Sequence, residues 1–186
     1  MKILIGCEES GVVRDAFSNL GHDAYSCDLL ERDHERHLCA DVVEAIKSQS
    51  WDMLILHPPC TALAVSGNRW YGTGMPRNNE RLSSIDWTMD LWYLALESSQ
   101  RVALENPVGV LPVKPSQYIQ PWQFGHGETK KTGLWLHGLP LLEPTNVVEG
   151  REQRVWRMPP SSERQRLRSQ TYIGIASAMA AQWGGL

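Results

Sequence analysis

The chain has 186 residues, 42% of them hydrophobic, with 18 basic against 21 acidic side chains and a net charge of −3. Those figures describe one compact domain with its own core and exclude a disordered segment. The longest apolar runs, Ile3–Ile5 and Met53–Leu56, fall far short of the roughly 20 residues that a membrane-spanning helix needs. The Met1-Lys2 start carries no apolar run of signal-peptide length, and four scattered cysteines read as reduced thiols, so a cytoplasmic location is expected. The charge is unevenly spread. Residues 1–60 hold 5 basic and 11 acidic side chains, whereas 127–186 hold 8 basic and 5 acidic. That gradient suits a small-molecule site at one end and a polyanion at the other.

Taken in chain order, Lys2–Gly6 (KILIG) reads as a buried strand. Gly11–Leu20 places Val12, Val13, Ala16, Phe17 and Leu20 on one helical face, with Gly21 as the stop. His22–Cys27 is a second strand closing on Asp28. Ala40–Ser48 contains a short helix after Asp41, and Trp51–Leu56 is the clearest strand. His57–Arg81, rich in Pro, Gly, Asn and Arg, predicts a long ordered loop. Ser83–Ser99 follows as a helix capped by Ser83 or Ser84, with Ile85, Met89, Trp92 and Leu96 inward. Arg101–Glu105 is a strand broken by Asn106-Pro107. Thr132–His137 is another strand, and Ser169–Trp183 an alanine-rich final helix. Alternating strands and helices predict an open, mostly parallel α/β sheet, whose ligands lie beyond the carboxyl ends of the strands.

The residues that follow the candidate strands carry the chemistry. Gly6, Ser10 and Gly11 stand between a strand and a helix, where small residues let backbone amides approach a ligand, though the full dinucleotide spacing is missing. Asp28 ends the second strand, where a carboxylate accepts hydrogen bonds from ribose hydroxyls. Cys60 is held rigid by Pro58-Pro59 at the end of a buried strand and is placed for nucleophilic work. Cys7, Cys27 and Cys39 read as inert thiols. Glu105 ends the neighbouring strand and faces the same edge as Cys60. A nucleophile and an acid on adjacent strand ends suit addition of a thiolate to a ring that is protonated elsewhere. His34, His37, Cys39 and Cys27 match no standard zinc spacing, and no metal is expected. Of the eight tryptophans only Trp70 reads as a surface contact; the others read as core.

HPPC at 57–60 and ENP at 105–107 resemble the Pro-Pro-Cys and Glu-Asn-Val signatures of the DNA cytosine-5 methyltransferases. Gly6 to Gly11 is similar to that family's glycine-rich S-adenosylmethionine motif, and QTYIGIA at 170–176 to its Gln-x-Gly-Asn motif. The resemblance, in order along nearly the whole chain, implies a Rossmann-like class I S-adenosylmethionine-dependent methyltransferase fold, with helices on both faces of a mostly parallel sheet. It implies Cys60 and Glu105 as catalytic residues. It implies Gly6, Cys7, Ser10, Gly11, Asp28, Leu29, Asp41, Pro58 and Gly174 around the cofactor, with Asp28 on the ribose and Asp41 on the adenine amino group. The partner implied is DNA, with a cytosine flipped out of the duplex.

The sequence departs from the family pattern in several places. Glu8-Glu9 replaces smaller residues in the glycine loop, Pro107 replaces valine, and Ile175 replaces asparagine. The family's Gln-x-Arg-x-Arg is missing; Lys130 and Lys131, or Arg164, Arg166 and Arg168, stand in for it. For nucleic acid, the expected contacts are Arg69 and Trp70 in the long loop, with Tyr71, Arg77 and Arg81 beside them, together with Lys130, Lys131, Arg166 and Arg168. The same ring chemistry is compatible with a pyrimidine of RNA or a nucleotide, or with transfer of another one-carbon-type group. A DNA-binding decoy that keeps the fold, and a hydrolase using Cys60 with His57, are the other readings. The hydrolase is disfavoured because two prolines separate the histidine from the thiol. The family inserts a sizeable target-recognition domain where this chain has only 137–168. The 186 residues therefore read as one catalytic domain with a rudimentary reader and a short or degenerate target.

Overall fold

The computed structural model describes residues 1–159, 161 and 164–186. Strands β1 (Lys2–Gly6), β2 (Asp23–Asp28), β3 (His37–Cys39), β4 (Met53–Leu56), β5 (Val102–Pro107), β6 (Gln117–Ile119) and β7 (Thr132–His137) form a seven-stranded sheet in the order β3-β2-β1-β4-β5-β7-β6. The first five run parallel, and β7 is antiparallel to both β5 and β6. The strand order reverses between β1 and β4, whose carboxyl ends are Gly6 and Leu56. That reversal opens the crevice in which ligands of such sheets sit.

Period-two alternation of fully apolar strands supplies both faces. Ile3, Ile5, Met53, Ile55, Ala103 and Leu134 pack under α1 (Val12–Ser18) and α7 (Ile173–Trp183), which bring Val13, Phe17, Met179 and Trp183. Leu4, Leu54, Leu56, Val102 and Leu104 point the other way, against Val42, Ala45 and Ile46 of α2 (Val42–Lys47) and Leu91 and Ala95 of α4 (Asn78–Ser98). Helices thus cover both faces. No helix among the described residues is long and apolar enough to cross a membrane.

Several elements differ from the sequence reading. α1 stops at Ser18, and Leu20 lies beyond it, 55% exposed, in the turn before Gly21. α4 begins at Asn78, and Ser84 returns its hydroxyl to the Glu80 carbonyl at 2.7 Å instead of capping. Its buried stripe is Arg81, Thr88, Leu91 and Ala95, so Ile85, Met89, Trp92 and Leu96 flank the contact and are half-buried. The loop 57–81 contains a 3-10 turn, Val65–Gly67, and a single-turn helix α3, Asn68–Tyr71. Asn106-Pro107 continues β5, because at its last position, opposite Thr132, proline needs no ladder donor. The short β3 and β6 carry no alternation that sequence could reveal. The final helix starts at Ile173, while Ser169 ends a separate helix, α6 (Arg164–Ser169). Trp51, Trp135 and Trp183 are core as expected, whereas Trp87 is 37% exposed; the side chain of Trp156 lies outside the described residues. The single turn α5 (Arg154–Arg157) and α6 fall within 137–168, of which residues 160, 162 and 163 lie outside the described ones.

Candidate active site

Five strand ends converge at the crevice. Gly6 is where β1, β4 and α2 meet: a Cβ there would stand 2.6 Å from Val42 Cγ2 and 2.8 Å from Leu56 Cδ2. Cys7 follows in the left-handed region at φ 59°, the single non-glycine residue with positive φ among those described, and Gly11 repeats the conformation at φ 72°. Glu8 turns inward and caps α1. Its Oε1 accepts from Val13 N at 2.7 Å and its Oε2 from Arg14 N at 3.3 Å. Burial pushes the Glu8 carboxyl up against the pull of His57 and of those amides. The start of α1 is therefore closed by the chain's own carboxylate, and Ser10 closes the same turn, its hydroxyl accepting from Val12 N at 3.4 Å.

Next to this turn, Cys7, Asp28 and Asp41 form an acidic rim at the ends of β1, β2 and β3. Burial first, then the charges of Asp28 and Asp41, push the Cys7 thiol up to about 12, so it stays protonated and inert at neutral pH. Asp28 Oδ1 accepts from Leu30 N at 3.0 Å and Asp41 Oδ1 accepts from Val43 N at 2.8 Å, capping α2. Leu29 stands between these features, 73% exposed. Two carboxylates beside an exposed apolar side chain fit an adenosine, with acceptors for hydroxyl and amino groups and an apolar surface for the base.

The second half of the crevice is built by β4 and β5. His57, Pro58, Pro59 and Cys60 leave β4, and the Cys60 carbonyl accepts from Leu63 N at 3.1 Å and Ala64 N at 2.9 Å, which folds the chain into a tight turn. Asn106 locks this turn to β5: its side-chain amide donates to the Pro58 carbonyl at 3.0 Å, with the residue only 1% exposed. Val65 N to Val108 O and Val110 N to Leu63 O, both at 3.1 Å, zip the following segments together. Arg81, buried on α4, donates to the Ala62 carbonyl at 2.7 Å, Asn68 Oδ1 at 2.8 Å and the Ala64 carbonyl at 3.1 Å.

Glu105 enters from β5 and meets His57, whose Nδ1 donates to Glu105 Oε2 at 2.9 Å with both side chains 11% exposed. Thr171, just before α7, donates to the same oxygen at 3.4 Å. Burial pushes the Glu105 carboxyl up, but the His57 hydrogen bond, Lys130, the His57 charge and Thr171 together hold it below the usual carboxylate range. Burial pushes His57 down, and Glu105 and Glu8 more than offset this, so its pKa is raised. Each member thus favours the charged form of the other, imidazolium beside carboxylate. Burial pushes the Cys60 thiol up, Glu105 adds to that, and Lys130 and Arg168 pull the other way. His57 is thus committed to Glu105, which leaves a Cys60 hydrolase without its base.

The basic residues expected on nucleic acid divide. Lys130 and Arg168 act electrostatically on Cys60, whereas Lys131 lies 4.4 Å over the Tyr118 ring of β6, and Arg166 is exposed on α6. Lys130 also lies 5.9 Å over Tyr172. Arg69 stacks at 5.0 Å on the half-exposed Trp70. Arg77 is bound to Glu80 through two hydrogen bonds of 2.6 and 2.7 Å, Arg81 is buried in loop carbonyls, and Tyr71 is 5% exposed. Arg81 and Tyr71 are loop structure; Arg69, Trp70 and the Glu80-paired Arg77 face solvent there. Gly174 donates its amide to His126 Nε2 at 3.0 Å, and a Cβ on it would stand 1.8 Å from the Phe124 carbonyl oxygen, so helix packing requires the glycine. Ile175, in the place of the family's asparagine, is core. Among the described residues, no three His, Cys, Asp or Glu side chains assemble as a metal site.

The sequence reading left out Asn106 and Thr171 as site residues and treated His57 only as a hydrolase base. Asn106 and His57 belong to motifs already singled out, so their position was visible; their partners were not, since each partner lies 48 residues away. No family model matches the sequence, and no curated protein matches it. The fold is similar to the solved structure of a methyltransferase from Entamoeba histolytica, EhMeth, with a TM-score of 0.52 and 11% identity over 86% of this chain and 60% of that one. The chain thus spans less than two thirds of that structure. At this identity the likeness is one of fold, the Rossmann-like methyltransferase fold.

Proposed function

We propose that this chain is an S-adenosylmethionine-dependent methyltransferase acting on C5 of cytosine in DNA. One arrangement carries the reading: Cys60 just beyond β4 and Glu105 in the carboxyl half of the adjacent β5, with the two motifs bolted together by Asn106 on the Pro58 carbonyl. Asp28, Asp41 and Leu29 would hold the adenosine of the cofactor, and the Glu8-capped turn leaves its amino-acid end to groups other than the α1 amides. When bound, S-adenosylmethionine supplies an electrophilic methyl group to a ring carbon made electron-rich.

The chain's own residues make that carbon electron-rich. Burial keeps the Cys60 thiol protonated although Lys130 and Arg168 pull the other way, so the thiol gives its proton to water as it adds to C6 of the pyrimidine as the thiolate. Glu105 meets N3 and stabilises the enamine that results. After transfer a water molecule takes the C5 proton, and the electron pair left behind expels Cys60 as the thiolate. The thiolate must approach the face of the ring, so a duplex cytosine has to be extruded. Arg69 and Trp70 at the loop tip offer a cation and an aromatic plane to the backbone and the unstacked bases. With only 137–168 as reader, the target is one or two base pairs of context.

The test is incubation with tritiated S-adenosylmethionine and DNA of varied sequence, followed by nucleoside analysis. Labelled 5-methylcytosine is expected, lost in C60A and strongly reduced in E105Q. No label in cytosine on any DNA sinks the reading. Label in RNA or a free nucleotide instead moves the same chemistry to that substrate, and covalent trapping of wild-type protein, but not C60A, on 5-fluorocytosine DNA excludes a decoy.

A further inference from the structure

His57 and Glu105 form a buried two-residue unit, and the reaction just proposed uses only one member of it. The histidine Nδ1 is spent on Glu105 Oε2 at 2.9 Å, while Nε2 has no hydrogen-bond partner although it is fully buried. Three charged groups act most strongly on the imidazole. Glu105 comes from β5, Glu8 from the turn after β1, and Lys130 from the segment before β7. Arg14 lies behind Glu8, and Cys60 shares Glu105 and Lys130 with the histidine. Two carboxyls thus flank the ring and one ammonium opposes them, and the site favours the imidazolium. The Nδ1–H of a neutral ring would still donate to Glu105; protonation adds a positive charge beside this buried carboxylate, whose other supports are Thr171 at 3.4 Å and Lys130.

From this geometry we infer that the general acid of the reaction is the His57–Glu105 pair and not Glu105 alone, with His57 as the reservoir of the proton delivered to the pyrimidine. The inference rests on the reading above. As Cys60 Sγ bonds to C6, the Nδ1–H bond breaks, a proton enters the carboxyl, and a carboxyl proton passes to N3. The thiolate negative charge and the imidazolium positive charge cancel. A neutral enamine, a neutral imidazole and the original carboxylate remain. When the adduct collapses, N3 returns its proton to the pair. While His57 is charged it holds the Glu105 carboxyl below its usual range, so the proton delivered to the ring has to come from the imidazolium, whose pKa is raised by the same contact.

The experiment compares wild type, H57N and E105Q, because the Asn amide replaces the Nδ1 donor without titrating. If the pair is the acid, H57N loses about 10²-fold in kcat at pH 7.5 with little change in KM. Its alkaline limb moves toward the carboxyl range, so that activity recovers on acidification. If H57N keeps the wild-type kcat and the wild-type limb, His57 only positions Glu105 and the inference is overturned. A second readout needs neither cofactor nor substrate: 15N shifts of the His57 ring in the free protein. A ring protonated at pH 7 in wild type and neutral there in E105Q is expected. A ring neutral at pH 7 in wild type overturns the inference whatever the activity. Wild-type protein inactive on every pyrimidine nucleic acid, with His57 charged, instead overturns the functional reading and with it the catalytic use of the pair.

Discussion

Replacing Arg81 with methionine keeps most of the length and the apolar stem of a buried side chain and removes every donor that holds the Cys60 loop to α4. Three bonds disappear, at 2.7, 2.8 and 3.1 Å to Ala62 O, Asn68 Oδ1 and Ala64 O. A hydrogen bond from a charged group is worth about 1.5–3 kcal/mol. The Asn68 bond counts for less, since that residue is exposed and regains water on release. The two carbonyl bonds remain. Loss of both weakens the turn on Cys60 by about 3 kcal/mol, or roughly 10²-fold in its opening equilibrium. Hydrogen exchange reads this directly. The amides of Leu63 and Ala64, bonded to the Cys60 carbonyl, exchange about 10²-fold faster in R81M, while strand amides of β1 and β4 exchange as in wild type. The Cys60 thiol alkylates faster for the same reason. Unchanged exchange at Leu63 and Ala64 in R81M refutes the assignment of Arg81 as the anchor of the loop.

G174A drives a methyl into the Phe124 carbonyl, 1.8 Å from the ideal Cβ position, and forces α7 off the sheet. A loss of about 2–3 kcal/mol and a melting point lower by roughly 5–10 °C are expected in thermal denaturation. K130M removes a cation that favours the Cys60 thiolate, so the pH profile of Cys60 alkylation moves to higher pH while the Cys7 thiol, shifted by other groups, keeps its profile. The His57–Glu105 pair sets a stability window. Glu105, lowered from 4.5, contributes stability that is present above that value and lost as pH falls through its folded pKa. His57, raised from 6.5, contributes stability that is complete below 6.5 and lost as pH rises through its folded pKa. The urea stability gap between wild type and H57N is therefore widest between pH 4.5 and 6.5 and narrows on either side.

Much of this architecture is legible in the amino-acid order because it depends on local patterns. Ile3–Ile5, Met53–Leu56 and Val102–Leu104 are unbroken apolar runs, which suit strands buried on both faces, and such strands separated by helical stretches specify a parallel sheet. The motif HPPC, placed at a strand end, indicates a fixed thiol, and Glu105 at the next strand end indicates its companion. What tertiary structure decided is pairing over distance. Whether β6 and β7 invert the sheet edge, and that Pro107 stays inside β5, follow from neighbours that no local pattern names. Arg81 and Arg77 look like phosphate contacts in a basic loop, and Glu8 looks like an intrusion in a glycine turn. While Arg77 pairs with Glu80 on the exposed first turn of α4, folding converts Arg81 into a loop anchor and Glu8 into a helix cap, because burial makes every donor and acceptor find a mate. The same rule joins His57 to Glu105. The sequence by itself determined the long strands β1, β2, β4, β5 and β7 and the position of the thiol; only the tertiary structure decided which charges neutralise one another there, since that depends on side chains such as His57 and Glu105 brought together from 48 residues apart.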